Sequence, residues 1–125
     1  DTFVSDMSFG GILDEISEEL MDAGCSVSGC GPAFMFMFID ALAKAGVSCG
    51  LTRNQAIKYA ATTMLGSAKL LLSSDKTPDE LKQAVCSKGG STIMGVNTFE
   101  DGGLYELTKN AVNASFERNK ELGKQ

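Results

Sequence analysis

The sequence predicts an all-α domain of about five to six helices. Three observations carry that expectation. Helix-start devices recur: Pro32 before an apolar run, Thr52 followed by Gln55, and Thr77-Pro78 followed by Glu80. After residue 24 no segment alternates apolar and polar residues as a half-buried strand would. The segments between the helical ones are short and rich in glycine, as connections within helical domains are.

Residues 1–16, DTFVSDMSFGGILDEI, keep no helical period, and FGGILDEI suggests a short strand after a Gly-Gly turn. SEELMDA (17–23) reads as a turn or two of helix with Ser17 as cap. GCSVSGCG consists of small residues and reads as a loop or a close backbone approach. The first clear helix is PAFMFMFIDALAKA. Proline suits the first helical position because its missing N–H would be unpaired anyway. This helix is expected to stop at Gly46 in a left-handed cap. Phe34, Met35, Phe36, Met37, Phe38 and Ile39 make its first turns apolar all round, so it must be buried on nearly every side. The chain's own core or a dimer interface would serve.

Thr52 and Gln55 form a capping box, in which each side chain meets the other's free backbone N–H. The helix they open is expected to reach Leu72. It gathers Ala56, Ala60, Thr63, Met64, Ser67 and Leu71 on one face, where small residues let a partner helix come close. Thr77 to Glu80 repeat the device for a short third helix ending near Cys86. A fourth is expected from about Thr92 to Asp101, closed by Gly102-Gly103, and a fifth from Leu104 to about Leu122.

At 125 residues the chain suits one domain with a real core. Its 43% hydrophobic and 22% charged residues are ordinary for a globular protein. The longest uninterrupted apolar run, AFMFMFI, falls far short of a membrane span, so no membrane partner is expected. The net charge of -5 and the lack of a basic cluster argue against nucleic acid. There is no histidine, and Cys25, Cys30, Cys49 and Cys86 have no C-x-x-C spacing. No metal site is therefore expected. Without a secretory signal the cysteines read as free thiols in a reducing, cytoplasmic setting. The chain opens on Asp1, and the expectation is a piece of a longer protein.

Two helix mouths draw attention. SKGGST (87–92) sets two glycines among hydroxyls just before a helix. Free N–H groups, a positive dipole end and hydroxyl donors make a receptacle for a carboxylate or phosphate. The plain alternative is a turn between two helices. SGCGP (28–32) repeats the arrangement, with close backbone packing as its alternative. Neither matches the dinucleotide fingerprint or the Walker loop.

At these residues the chain resembles a family. Ser28-Gly29-Cys30-Gly31-Pro32-Ala33-Phe34 is similar to the S-G-S-G-P-A-Y segment of pyrroline-5-carboxylate reductase. DALAKAGVSCGLTRNQA (40–56), DELKQAVCSKGGSTIMGV (79–96) and EDGGLYELTKNAV resemble that family's later segments in order. The similarity runs over residues 20–122. It implies the C-terminal helical domain of a two-domain enzyme, an interwoven homodimer or ring of dimers that supplies most of the substrate site. Residues 17–125 would be that domain. Residues 1–16 would be a remnant of a nucleotide-binding Rossmann domain that binds NADPH or NADH and is otherwise absent here. This chain alone would then be inactive.

The implied reaction is hydride transfer to the C=N carbon of 1-pyrroline-5-carboxylate, giving L-proline. The resemblance implies substrate contacts at Ser87, Gly89, Gly90, Ser91 and Thr92, with Val85 lining the ring. Ser28 and Cys30 would lie near the nicotinamide end. It fixes no catalytic residue; Cys25, where many members have threonine, is the one candidate proton donor. Lys88 replaces the usual proline, and Ser91 a threonine or alanine. Two other readings stand beside this one: a non-catalytic helical oligomerisation module, and a related NADP-dependent reductase of another imine or carbonyl acid.

Overall fold

The computed structural model describes residues 18–88 and 90–123. The expected N-terminal strand, the Ser17 cap and the 1–16 remnant lie outside the described residues. All described elements are helical. They are α1 (Glu18–Gly24), a π-helical turn (Cys25–Gly29), α2 (Gly31–Ser48), α3 (Arg53–Ser73), α4 (Pro78–Lys88), α5 (Gly90–Asp101) and α6 (Leu104–Gly123). The chain forms two compact units, residues 1–35 with 105–125, and residues 36–104.

In the second unit, α2 ends differently from the sequence expectation. Gly46 stays helical, and the left-handed residue is Gly50, with φ of 115°. The Leu51 N–H bonds the Gly46 carbonyl at 3.1 Å and the Gly50 N–H the Val47 carbonyl at 3.0 Å. These are the two bonds of a Schellman cap. Gly46 serves packing instead: a Cβ there would lie 3.1 Å from Leu51 Cδ1 and 3.4 Å from Ala56 Cβ. The missing side chain lets the start of α3 close onto α2.

The α3 capping box is present in full. The Gln55 N–H donates to Thr52 Oγ1 at 3.1 Å, and the Thr52 N–H to Gln55 Oε1 at 3.0 Å. Ala56 and Ala60 on its small face are buried, beside a shallow apolar groove of about 240 Å³ lined by Leu42, Gly46, Leu51, Tyr59 and Thr63 among others. Asp40 of α2 joins the two helices, pairing with Lys44 at 2.9 Å and with Arg53 at 2.8 Å. Hydrogen bonds from Lys44 and then Arg53 hold its carboxyl below the ordinary carboxylate value.

Helices α4 and α5 form an antiparallel hairpin. Thr77 and Glu80 close the second capping box, at 3.1 and 2.8 Å. Lys82 bridges Asp79 on its own helix at 3.0 Å and Glu100 in the last turn of α5 at 3.4 Å. The hairpin packs on α2 through Phe38 and Phe99, whose ring centroids lie 6.0 Å apart at 52°.

The apolar turns of α2 are not buried within one chain. Phe36 is 69% exposed and Met37 70%. Among the described residues, these two side chains are left largely uncovered. The run Leu20–Ser48 is also long and apolar enough, by length and composition, to cross a bilayer. A count of uninterrupted apolar residues does not register it, since scattered serines and glycines barely lower the average over a window. A core helix of a soluble protein has the same composition.

Gly50→Ala should lower stability by about 1–2 kcal/mol, because the added Cβ meets the left-handed backbone. A chemical denaturation midpoint equal to that of the parent chain would refute the cap. Asp40 has a lowered pKa, so its contribution is present above the ordinary value and is lost as pH falls through the lowered one. Melting curves taken from about pH 7 down to about pH 2 should show Asp40→Asn less stable near neutrality. That gap should close in acid.

Candidate functional site

The first group of site residues lies where the sequence suggested a loop. Instead, α1 runs into a π-helical turn, and the Cys30 N–H bonds the Cys25 carbonyl at 2.9 Å to close it. Two serines support the widened turn by back-bonding. Ser26 Oγ donates to the Asp22 carbonyl at 2.8 Å and Ser28 Oγ to the Gly24 carbonyl at 2.7 Å. Gly29 is required for close approach: a Cβ there would sit 2.9 Å from Cys25 Sγ. Small residues thus produced a widened helix here because their hydroxyls can satisfy carbonyls from within it. The turn also engages backbone donors at the start of α2. The Cys30 N–H is bonded, the Ala33 N–H reaches the Cys30 carbonyl at 3.1 Å, and Pro32 has none. At SGCGP, then, two of the backbone donors are engaged, and Gly29 makes the close approach that was the alternative to a ligand site.

From the far end of the chain Asn119 of α6 reaches this turn. Its Nδ2 donates to Ser26 Oγ at 3.2 Å and toward the Asp22 carbonyl at 3.4 Å. Ser26 is fully buried, with its hydroxyl both donating and accepting. The sequence carries no signal for this contact, since an asparagine among the charges of a helix end reads as solvated.

Cys25 and Cys30 are half-buried and reduced. Burial pushes the Cys25 thiol above its ordinary value, and Cys30 and the Asp22 carboxylate add to the effect. A thiol so placed stays protonated at neutral pH and has a proton to give. Ser28 donates its hydroxyl proton to the Gly24 carbonyl.

The second group lies in the α4–α5 hairpin. Helix α4 continues through Ser87 to Lys88, past the expected end at Cys86, and α5 already begins at Gly90. Gly89 and the Lys88 side chain lie outside the described residues. Gly90, Ser91 and Thr92 therefore form the first turn of α5, where backbone N–H groups have no partner within the helix. No acidic residue stands in that turn, so nothing of the chain's own neutralises the positive dipole end. Thr92 is half-buried, and Gly90 and Ser91 are exposed. Ser87 Oγ donates to the Ala84 carbonyl at 3.0 Å, and Val85 lies exposed one turn back. The hairpin thus brings Val85, Ser87, Gly90, Ser91 and Thr92 to one end, and the Lys82–Glu100 pair clasps its other end. Such an end can accept a carboxylate flanked by an apolar ring.

Comparison with known proteins gives one consistent result. The family model described as pyrroline-5-carboxylate reductase dimerisation matches residues 18–122. Pyrroline-5-carboxylate reductase 2 of Bos taurus is 47% identical over 116 residues, covering 93% of this chain and 36% of the relative. Pyrroline-5-carboxylate reductase of Methanosarcina acetivorans is 44% identical over 115 residues, covering 92% and 43%. Among solved structures, pyrroline carboxylate reductase of Plasmodium falciparum with NADP bound matches with a TM-score of 0.84 and 37% identity, over 90% of this chain and 44% of that one. The chain thus spans less than half the length of these relatives. Over the greater part of its own length it belongs to the pyrroline-5-carboxylate reductase family, in that family's dimerisation domain.

Proposed function

We propose that this chain is the substrate-binding and self-association part of an NAD(P)H-dependent reductase that converts 1-pyrroline-5-carboxylate to L-proline. The observation that carries the reading is the acid-free first turn of α5 at the closed end of the α4–α5 hairpin, in a chain of this family. The substrate bears one carboxylate and one imine. The N–H groups and hydroxyls of Gly90, Ser91 and Thr92, with Gly89 and Ser87 beside them, receive the carboxylate. Val85 covers the ring. Each charge-assisted hydrogen bond contributes about 1.5–3 kcal/mol. A reduced nicotinamide supplies the hydride; the residues of this chain hold the substrate still and exclude water. Ser28 and Cys30 would border the nicotinamide end, and Cys25 is the candidate donor of the imine proton.

The same reading explains the exposed face of α2. Phe36 and Met37 become interface in a homodimer, as the family's dimerisation domain suggests, and burial of such side chains is worth about 1.5–3 kcal/mol each. A protein partner, rather than lipid, then accounts for the apolar run at 20–48.

Thr92→Ala in the full-length enzyme should raise KM for 1-pyrroline-5-carboxylate about tenfold or more, the loss of one charge-assisted bond. The kcat should change little and the melting temperature not at all. An unchanged KM would remove Thr92 from the site. Light scattering on this chain across a dilution series should give a persistent dimer or larger assembly. A monomer at all concentrations would refute the interface.

A further inference from the structure

We propose that Cys25 and Cys30 form a dithiol site, closed to an intrahelical disulfide by a two-electron oxidant of the hydroperoxide class. The geometry that places them together is the π-helical turn. On an α-helix, residues five apart point about 140° away from each other and stand more than a turn apart. Here the Cys30 N–H bonds the Cys25 carbonyl at 2.9 Å, so the two residues stack one above the other. One helical turn separates such Cα atoms by on the order of 5–6 Å. A disulfide requires about 4.4–6.8 Å.

The side chains agree with the backbone. The Cys30 thiol lies close enough to the Cys25 thiol to help push its pKa up, after burial. Cys25 Sγ leans across Gly29, where a Cβ would be only 2.9 Å away, so no side chain intervenes on that side. Both residues are half-buried rather than sealed. Cys49 is exposed and Cys86 half-buried, both in the other compact unit.

The chemistry balances with hydrogen peroxide as oxidant. The Cys30 sulfur, as thiolate, attacks one peroxide oxygen and breaks the O–O bond. The released hydroxide takes a proton and leaves as water, and Cys30 becomes a sulfenic acid. The Cys25 sulfur then attacks the Cys30 sulfur, forms the S–S bond and expels the second water, with the Cys25 proton completing it. Two thiols are oxidised by two electrons and one peroxide is reduced to two waters. Cys25 suits the resolving role because burial keeps its thiol protonated until the sulfenic acid stands beside it.

Trypsin makes the test direct, because the first basic residue in the sequence is Lys44. Residues 1–44 therefore form one peptide holding both cysteines, while Cys49 and Cys86 fall in others. The chain is treated with one equivalent of hydrogen peroxide, alkylated with iodoacetamide, digested and analysed by mass spectrometry. The expected result is a monomeric 1–44 peptide two hydrogens lighter, with no alkyl group, and restoration of both alkylation sites by dithiothreitol. Peptides containing Cys49 and Cys86 should stay alkylated. Phenylarsine oxide, which bridges paired thiols, should protect the same peptide, and either Cys25→Ser or Cys30→Ser should abolish that protection. The proposal is overturned if the peptide carries two alkyl groups after peroxide. A lone oxidised sulfur, or cross-linking to a second copy, would overturn it equally, as would arsenical protection surviving in the serine variants.

Discussion

The apolar first half of α2 sets the terms for this domain. Pro32 starts a helix whose next residues are apolar on all sides, and a helix of that kind is stable in water only when most of its circumference is covered. Within one chain the cover is partial. Phe38 meets Phe99, Ala43 is fully buried, and Phe36 and Met37 stay in solvent. The buried apolar core is made of alanines: Ala43, Ala56 and Ala60. Alanine lets helices approach closely, but it brings little area to bury, so a second source of burial is needed for a domain of this size.

With so little core, the chain leans on local devices at its helix ends. Both capping boxes are complete, at Thr52 with Gln55 and at Thr77 with Glu80. The Schellman cap at Gly50 and the positive φ of Gly103 turn the chain without leaving carbonyls unpaired. The π-helical turn does the same for a stretch with no large side chain, using the Ser26 and Ser28 hydroxyls as donors to the Asp22 and Gly24 carbonyls. These devices give each helix defined ends, and therefore define where a ligand can meet a helix terminus.

That definition matters most at the α4–α5 junction. A chain of net charge -5 repels anions over most of its surface. The first turn of α5 is an exception because it lacks acidic residues, while the hairpin's four acids, Asp79, Glu80, Glu100 and Asp101, lie toward its other end, where the first three are engaged. The Lys82 bridge to Asp79 and Glu100 keeps that negative charge paired and away from the mouth. At the π-helical turn the electrostatic situation is opposite. The Cys30 and Ala33 N–H groups are engaged, Pro32 has none, and the turn sets two half-buried thiols on one helical turn.

The sequence by itself determined the helical class, both capping boxes, and the extents of α3, α5 and α6 to within two residues. All of these rest on side chains acting within one helical turn of their own backbone, which a reader of sequence can count. It misjudged Gly46 as a cap because glycine in a helix and glycine after one look alike until the packing of Leu51 and Ala56 is known. Of its two readings of GCSVSGCG, a loop or a close backbone approach, the close approach at Gly29 holds and the loop gives way, because back-bonding serines stabilise a widened turn as readily as a turn between helices. Only the tertiary structure decided that Asn119 completes the hydrogen bonding of Ser26, that Lys82 reaches Glu100, and that Cys25 and Cys30 share one turn. Those contacts depend on how helices meet, or on a change of helical pitch, and neither leaves a period in the sequence.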